Sequence, residues 1–282
     1  MKFLGYFMPQ IEIRKKNKIN KSSSYLTNFA ENLTSQNGED GVIRKIFEIM
    51  PPLNKFCVEF GAWNGFHLSN TCSLIQMAKW NALLIEGDEN KFEELKANYI
   101  NSSRVKTLNR YINFDENSLD NILSEYNAPQ KLDLISIDVD GNDWHIWNSL
   151  EHFYPRLVII EFNPTIPNDV YFVQDQHPLV NHGCSLLALI ELGKQKGYEL
   201  VSALDHNALF VPKEEFPAFK ISDNDIDSMY DFSACQMKFF QGYDGTIFNA
   251  GCSQLIWKNV AITFDDIQVL PQSMRHYNEP HT

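Results

Sequence analysis

Val58-Glu59-Phe60-Gly61-Ala62-Trp63-Asn64-Gly65 is the stretch on which the fold turns. An apolar run that ends in an acid and then meets two glycines reads as a buried strand feeding a tight turn, because glycine reaches backbone conformations closed to other residues. The strand starts at Phe56-Cys57, and the same pattern recurs outward from it. Ala82-Leu83-Leu84-Ile85 runs into Glu86-Gly87-Asp88 and is followed by Phe92, Leu95 and Tyr99 at helical spacing. Val105 to Ile112 reads as a weaker third strand, and Leu119, Ile122 and Leu123 as a helix. Leu132 to Ile137 runs into Asp138, and Leu157 to Ile160 into Glu161. Short apolar runs alternating with helical patterns from about Gln36 to Val211 predict an α/β fold, a Rossmann-like open and mostly parallel sheet with helices on both faces. Ser185 to Gly197 has leucines at helical spacing and stops at a glycine. Tyr198–Leu204 and Ala208–Val211 flank Asp205-His206-Asn207, which predicts an antiparallel closing hairpin.

Composition narrows the function. The 282 residues are 44% hydrophobic and 21% charged, values of a globular chain. We read residues 1–34 as an N-terminal extension, 35–212 as the main domain and 213–282 as an aromatic-rich C-terminal extension packing on it. A net charge of −12 repels phosphate backbones and argues against nucleic-acid partners. Arg14, Lys15, Lys16, Lys18 and Lys21 form one basic stretch, a solvated tail or, alternatively, a contact for an anionic surface. Five cysteines without a CxxC pair argue against disulfides and a zinc site, and the apolar run Phe3–Met8 is too short for a signal core or a membrane span. Cytoplasmic residence and no membrane span are the expectation, with a homo-oligomer left open.

Glu59, Glu86 and Asp138 each stand where a strand gives way to a glycine-containing turn. Ligands of open α/β sheets bind beyond the carboxyl ends of the strands, so these acids are expected to converge on one crevice. The first turn is no dinucleotide fingerprint, because Trp63 and Phe66 stand where Gly-x-Gly-x-x-Gly needs its second and third glycines. A cationic ligand such as S-adenosylmethionine suits a carboxylate-lined crevice instead. Glu86 sits where an acid after the second strand hydrogen-bonds ribose hydroxyls.

Val58–Gly65, Leu84–Asp88 and Asp133–Gly141, with Ser35-Gln36-Asn37-Gly38-Glu39-Asp40-Gly41 ahead of them, resemble the motifs of class I S-adenosylmethionine-dependent methyltransferases of the FkbM-like group over roughly residues 35–212. The resemblance implies that Gln36, Glu59, Gly61, Gly65, Glu86 and Asp138 contact the cofactor. It also implies O-methylation of a sugar, glycan precursor or other small polar acceptor.

Asp138-Val139-Asp140-Gly141-Asn142-Asp143-Trp144-His145 with Glu161-Phe162-Asn163 is further similar to metal-dependent O-methyltransferases. In that likeness Asp138, Glu161 and Asn163 hold Mg²⁺, to which oxygen ligands are suited. The acid and amide are here separated by Phe162 instead of adjacent, although spacing by two puts both side chains on one face of an extended segment. The alternative is that Asp138 contacts the cofactor while Glu161 and Asn163 bind the acceptor. Without a metal, Asp138 and His145 are the candidate catalytic residues, His145 as base. Asn163-Pro164-Thr165-Ile166 is weakly similar to the motif of amine methyltransferases, and a non-catalytic binding module that kept the fold is the remaining alternative.

Overall fold

Four apolar runs form the centre of the sheet, and their burial on both faces is what makes it parallel. In this computed structural model Ile11, Ile13 and residues 19–114, 117–231 and 235–277 are described. Arg14, Lys15, Lys16 and Lys18 and the run Phe3–Met8 lie outside the described residues. The chain divides into two compact units, residues 18–231 and residues 1–17 with 232–282.

The larger unit opens with α1 (Glu39–Ile49), then β1 (Phe56–Phe60), α2 (Cys72–Gln76), β2 (Asn81–Glu86), α3 (Glu89–Tyr99), β3 (Val105–Asn109), α4 (Leu119–Glu125) and β4 (Leu134–Ile137). It continues with α5 (Asp143–Ser149), β5 (Leu157–Glu161), α6 (Leu186–Gln195), β6 (Tyr198–Ala203) and β7 (Asn207–Pro212). The strands form one seven-stranded sheet in the order β3-β2-β1-β4-β5-β7-β6. The neighbours from β3 across to β5 are parallel, and β7 runs antiparallel to both β5 and β6. From β1 the chain steps outward to β2 and β3, then returns to the other side for β4 and β5. Right-handed crossovers therefore place the connecting helices on opposite faces of the sheet, and the reversal opens a crevice at the carboxyl ends of β1 and β4.

Local chemistry sets the element ends. Asp88 caps α3 by accepting from the backbone N–H groups of Asn90 at 2.9 Å and Lys91 at 3.0 Å, and Ser185 caps α6 through Ala188 at 3.2 Å. The fourth strand starts at Leu134 and not at the predicted Leu132. Asp133, fully buried, instead accepts from the N–H groups of Leu53, Asn54 and Lys55 and pairs with Arg156 at 3.4 Å, tying the entry of β1 to that of β4. The hairpin appears as predicted, closed by Leu204 N–H to the Asn207 carbonyl at 2.8 Å, with β7 inserted between β5 and β6. The compact unit extends past residue 212, burying Phe219, Ile221, Met229 and Tyr230.

The smaller unit has two antiparallel pairs: β8 (Met237–Gln241) with β9 (Ile247–Gly251), and β10 (Gln254–Leu255) with β11 (Val260–Ala261). Phe240 stacks on Phe248 at 5.2 Å between centroids. No helix among the described residues is long and apolar enough to cross a membrane.

Gly61 takes φ +65°, and a Cβ there would overlap the Asp138 carbonyl oxygen. Gly197, at φ +81° past the end of α6, has open space around it. Gly61→Ala should therefore cost roughly 2–4 kcal/mol, combining left-handed strain with overpacking, against about 1 kcal/mol for Gly197→Ala. Chemical denaturation of the two variants checks this, and equal losses would show that the first turn relaxes without the contact.

Candidate active site

At the carboxyl ends of β1 and β2 the acids organise the backbone. Glu59 is buried and its carboxylate accepts from Ser69 Oγ at 2.7 Å, Asn70 N–H at 2.7 Å and Thr71 Oγ1 at 2.6 Å. Burial pushes its pKa up, and those three donors oppose the shift. Glu86, also buried, accepts from Trp63 N–H at 2.8 Å and Asp88 N–H at 2.8 Å, so one carboxylate holds the turns after β1 and β2 side by side. Each of its oxygens keeps a lone pair for another donor. Trp63, which takes a left-handed φ of +47°, lies under the Lys91 ammonium at 4.1 Å and against the His67 ring at 4.8 Å. Gly65 fits the turn to α3, since a Cβ there would overlap the Tyr99 ring and Leu95. Gly87 is overlain by the exposed ring of Tyr111 in the same way, which leaves an aromatic face beside Glu86.

At the ends of β4 and β5 the arrangement changes. Asp143, buried at the first turn of α5, accepts from Val139 N–H and Gly141 N–H, both at 2.9 Å, and folds the turn after β4 back on itself. Asp140 takes φ +56° in that turn. Asp138, Asp140 and Glu161 then bring carboxylate oxygens within 4.8 Å of one another, and Asp138 and Glu161 are hydrogen-bonded together. Desolvation, then repulsion from Asp143, Asp140 and Glu59, pushes Asp138 up to about 8. Glu161 is raised well above its ordinary value by desolvation and by Asp138, Asp143 and Asp140, and Asp143 reaches about 6, chiefly through desolvation. Asp138 and Glu161 favour their protonated forms because desolvation and neighbouring carboxylates raise them.

The convergence expected of Glu59, Glu86 and Asp138 holds for their strand ends, on adjacent strands, while each carboxylate has its own task. Gln36 is exposed just ahead of α1, its carbonyl accepting from Asn32 Nδ2 at 2.8 Å. The Nε2 of His145 lies 2.8 Å from the Gln174 carbonyl oxygen, which only accepts, so Nε2 carries the proton and Nδ1 is the nitrogen left to act as a base. Asn163 differs from the expected ligand, because Oδ1 accepts from Thr165 N–H at 3.0 Å and Thr165 Oγ1 at 2.6 Å while Nδ2 donates to the His182 carbonyl. Asp140 was legible: the two-residue spacing that pairs Glu161 with Asn163 also pairs Asp138 with Asp140. Glu39 and Asp40 fold the segment before α1, Asp40 accepting from the N–H groups of Leu33, Thr34 and Ser35 and Glu39 from Asn37 N–H and Asn207 Nδ2.

Residues 67–200 match the model of the methyltransferase FkbM domain. The chain carries an FkbM methyltransferase domain. That makes it an S-adenosylmethionine-dependent methyltransferase, and the matched stretch includes Glu86, Asp138, Asp140 and Glu161 while starting just past the first turn. No curated protein matches the chain. Among solved structures, the N-terminal domain of EvdMO1 with SAH bound is similar at 16% identity and TM-score 0.43, covering 64% of this chain and 82% of that one. A SAM-dependent methyltransferase from Aquifex aeolicus is similar at 13% identity and TM-score 0.38, covering 67% and 96%. Likenesses of that size carry no weight beside the domain match and the site geometry.

The folded chain holds the Asp138 proton up to about pH 8, whereas an unfolded carboxyl releases it near 3.8. Below that window both states are protonated; within it the unfolded chain gains charge freely and the folded one does not, so stability falls as pH rises. The melting temperature of the ligand-free FkbM-type protein should decline from about pH 4 to about pH 8, and Asp138→Asn should flatten the decline. Parallel melting curves for parent and variant across that window would contradict the assignment.

Proposed function

We propose that the chain transfers the methyl group of S-adenosylmethionine to a hydroxyl of a sugar, glycan precursor or other small polar metabolite. What supports this reading is the uncompensated carboxylate cluster of Asp138, Asp140 and Glu161 beside the turns after β1 and β2. The donor fits that edge: its sulfonium and ammonium charges are attracted by the acids, Glu86 has lone pairs for ribose hydroxyls, and the Tyr111 face suits a planar base. When bound, it supplies an electrophilic methyl carbon. The protein's task is to hold an acceptor oxygen in line with that carbon, an orientation worth up to ~7–11 kcal/mol, and to take the hydroxyl proton.

Three carboxylates, with Asp138 and Glu161 raised in pKa and no ammonium or guanidinium among them, also fit a divalent cation with oxygen ligands, and Mg²⁺ is the second reading. Asp138, Asp140 and Glu161 would hold it, with Asp138 and Glu161 releasing protons, and it would lower the pKa of the acceptor hydroxyl. Amine methylation has less support, because the Asn163 carbonyl that would hold a nitrogen acceptor is bound to Thr165. Five free cysteines favour a reducing compartment, in keeping with the cytoplasm.

Calorimetric titration with S-adenosylmethionine, followed by an S-adenosylhomocysteine-release screen of sugar acceptors, tests the proposal. Glu86→Ala should weaken cofactor binding roughly tenfold or more, about 1.4 kcal/mol. Asp138→Asn should bind the cofactor yet lose turnover. Full turnover in Asp138→Asn, or release that persists only with amine acceptors, would overturn the O-methylation reading. Mg²⁺ should raise the melting temperature more at pH 8 than at pH 6, and an identical effect in Asp138→Asn would retire the cation.

A further inference from the structure

Asn142 is the N-cap residue of α5 but makes no capping hydrogen bond. Its side chain faces a different element: Oδ1 accepts from Gln174 Nε2 at 3.2 Å and Nδ2 donates to the His177 carbonyl at 3.2 Å. Gln174 belongs to a short antiparallel hairpin inside the β5–α6 connection. Ser185 N–H donates to the Phe172 carbonyl at 2.9 Å, Val173 bridges Cys184, and Gln174 N–H donates to the Gly183 carbonyl at 3.1 Å.

The Gln174 side chain is buried, and every polar atom it has is used. Nε2 donates to the Val180 carbonyl at 2.7 Å as well as to Asn142, and Oε1 accepts from His182 N–H and Gly183 N–H, both at 2.8 Å. Its backbone carbonyl takes the His145 ring N–H. The hairpin tip reaches the turn after β4 a second time, where Asn181 Nδ2 donates to the Asp140 carbonyl at 2.8 Å. Gly141 admits this approach, since a Cβ there would lie 2.7 Å from the Val180 carbonyl and 3.0 Å from Gln174 Oε1. Asp140, between these contacts, has the left-handed conformation that a residue with a side chain keeps only when its surroundings hold it.

We infer that Gln174 is a positioning residue, which through the 172–185 hairpin and Asn181 fixes the main chain at Asp140 so that its carboxylate meets Asp138 and Glu161. Gln174 is too deeply enclosed to touch an acceptor. Asn181 meets Asp140 at its main-chain carbonyl, and His145 completes the arrangement from α5 by holding the hairpin through Nε2. The inference rests on the reading of Asp138, Asp140 and Glu161 as the acceptor side of the site.

Two variants test it in the full chain. Gln174→Glu keeps the shape and the acceptor oxygen but removes both Nε2 donors, and Asn181→Ala removes only the bond to Asp140. In each, hydrogen exchange at the amides of Val139 and Gly141, donors to Asp143, should quicken roughly tenfold or more while amides of β1 and β2 are unchanged. The turnover number with the best acceptor should fall roughly tenfold, and the dissociation constant for S-adenosylhomocysteine should stay within about twofold. Unchanged exchange in Asn181→Ala, or cofactor binding that weakens in step with turnover, would overturn the inference. If the parent shows no methyl transfer to any acceptor, the functional reading fails, and the exchange measurement still decides whether the hairpin holds Asp140.

Discussion

The close approach of Gly61 to the Asp138 carbonyl is the contact on which the site depends. β1 and β4 are neighbours because the chain reverses direction between them, and there the connections leave toward opposite faces of the sheet and open a crevice. A side chain at position 61 would drive the turns apart by overlapping a backbone oxygen that cannot move without breaking the post-β4 turn. The glycine thus sets the distance between the turn after β1, proposed to meet the donor, and the turn that carries Asp138 and Asp140. That distance is what a methyl transfer must have right.

The carboxylates near this crevice fall into two groups by what their oxygens already bind. Glu59, Glu86, Asp40 and Asp143 accept hydrogen bonds from backbone N–H groups or hydroxyls of their own turns, and they function as fixed architecture. Asp138, Asp140 and Glu161 accept no backbone N–H hydrogen bond among the described residues and face one another instead. Holding such groups together raises the pKa values of Asp138 and Glu161 and costs stability in the ligand-free state. A fold tolerates that cost where a ligand relieves it, by positive charge or by donating hydrogen bonds, so the second group and not the first marks where chemistry occurs.

Strands whose side chains are buried on both faces leave an unambiguous trace, and β1, β2, β4 and β5 were legible as four apolar runs ending in acids. The glycines of the first turn and the hairpin at residues 204–206 were legible for a similar reason, since each is a local requirement met by local residues. What the sequence concealed lies in long-range pairing. Asp133 reads as part of a strand until it is seen accepting three N–H groups from residues 53–55. His145 reads as a base with either ring nitrogen free until Gln174, far along the chain, accepts from Nε2 and leaves Nδ1 for that role. Asn163 and Asp140 share the same spacing from a neighbouring acid, and only loop geometry separates the one bound to Thr165 from the one in the cluster.

The same division explains why the donor is easier to infer than the acceptor. In the proposed reading donor contacts come from the ends of β1 and β2, two strands whose place in the sheet is set by core packing, and the acceptor side lies beyond β4 and β5. The acceptor side is shaped by the connection from Asn163 to Ser185, which contains no named strand or helix and is held by Gln174, Asn142 and Asn181. A connection anchored by side-chain amides can change the residues between its anchors without disturbing the sheet, because none of those bonds belongs to the strand ladder. In the proposed reading, substrate preference is therefore expected to vary with residues 175–180, between the anchors Gln174 and Asn181, while Glu86 and the first turn keep the donor side constant.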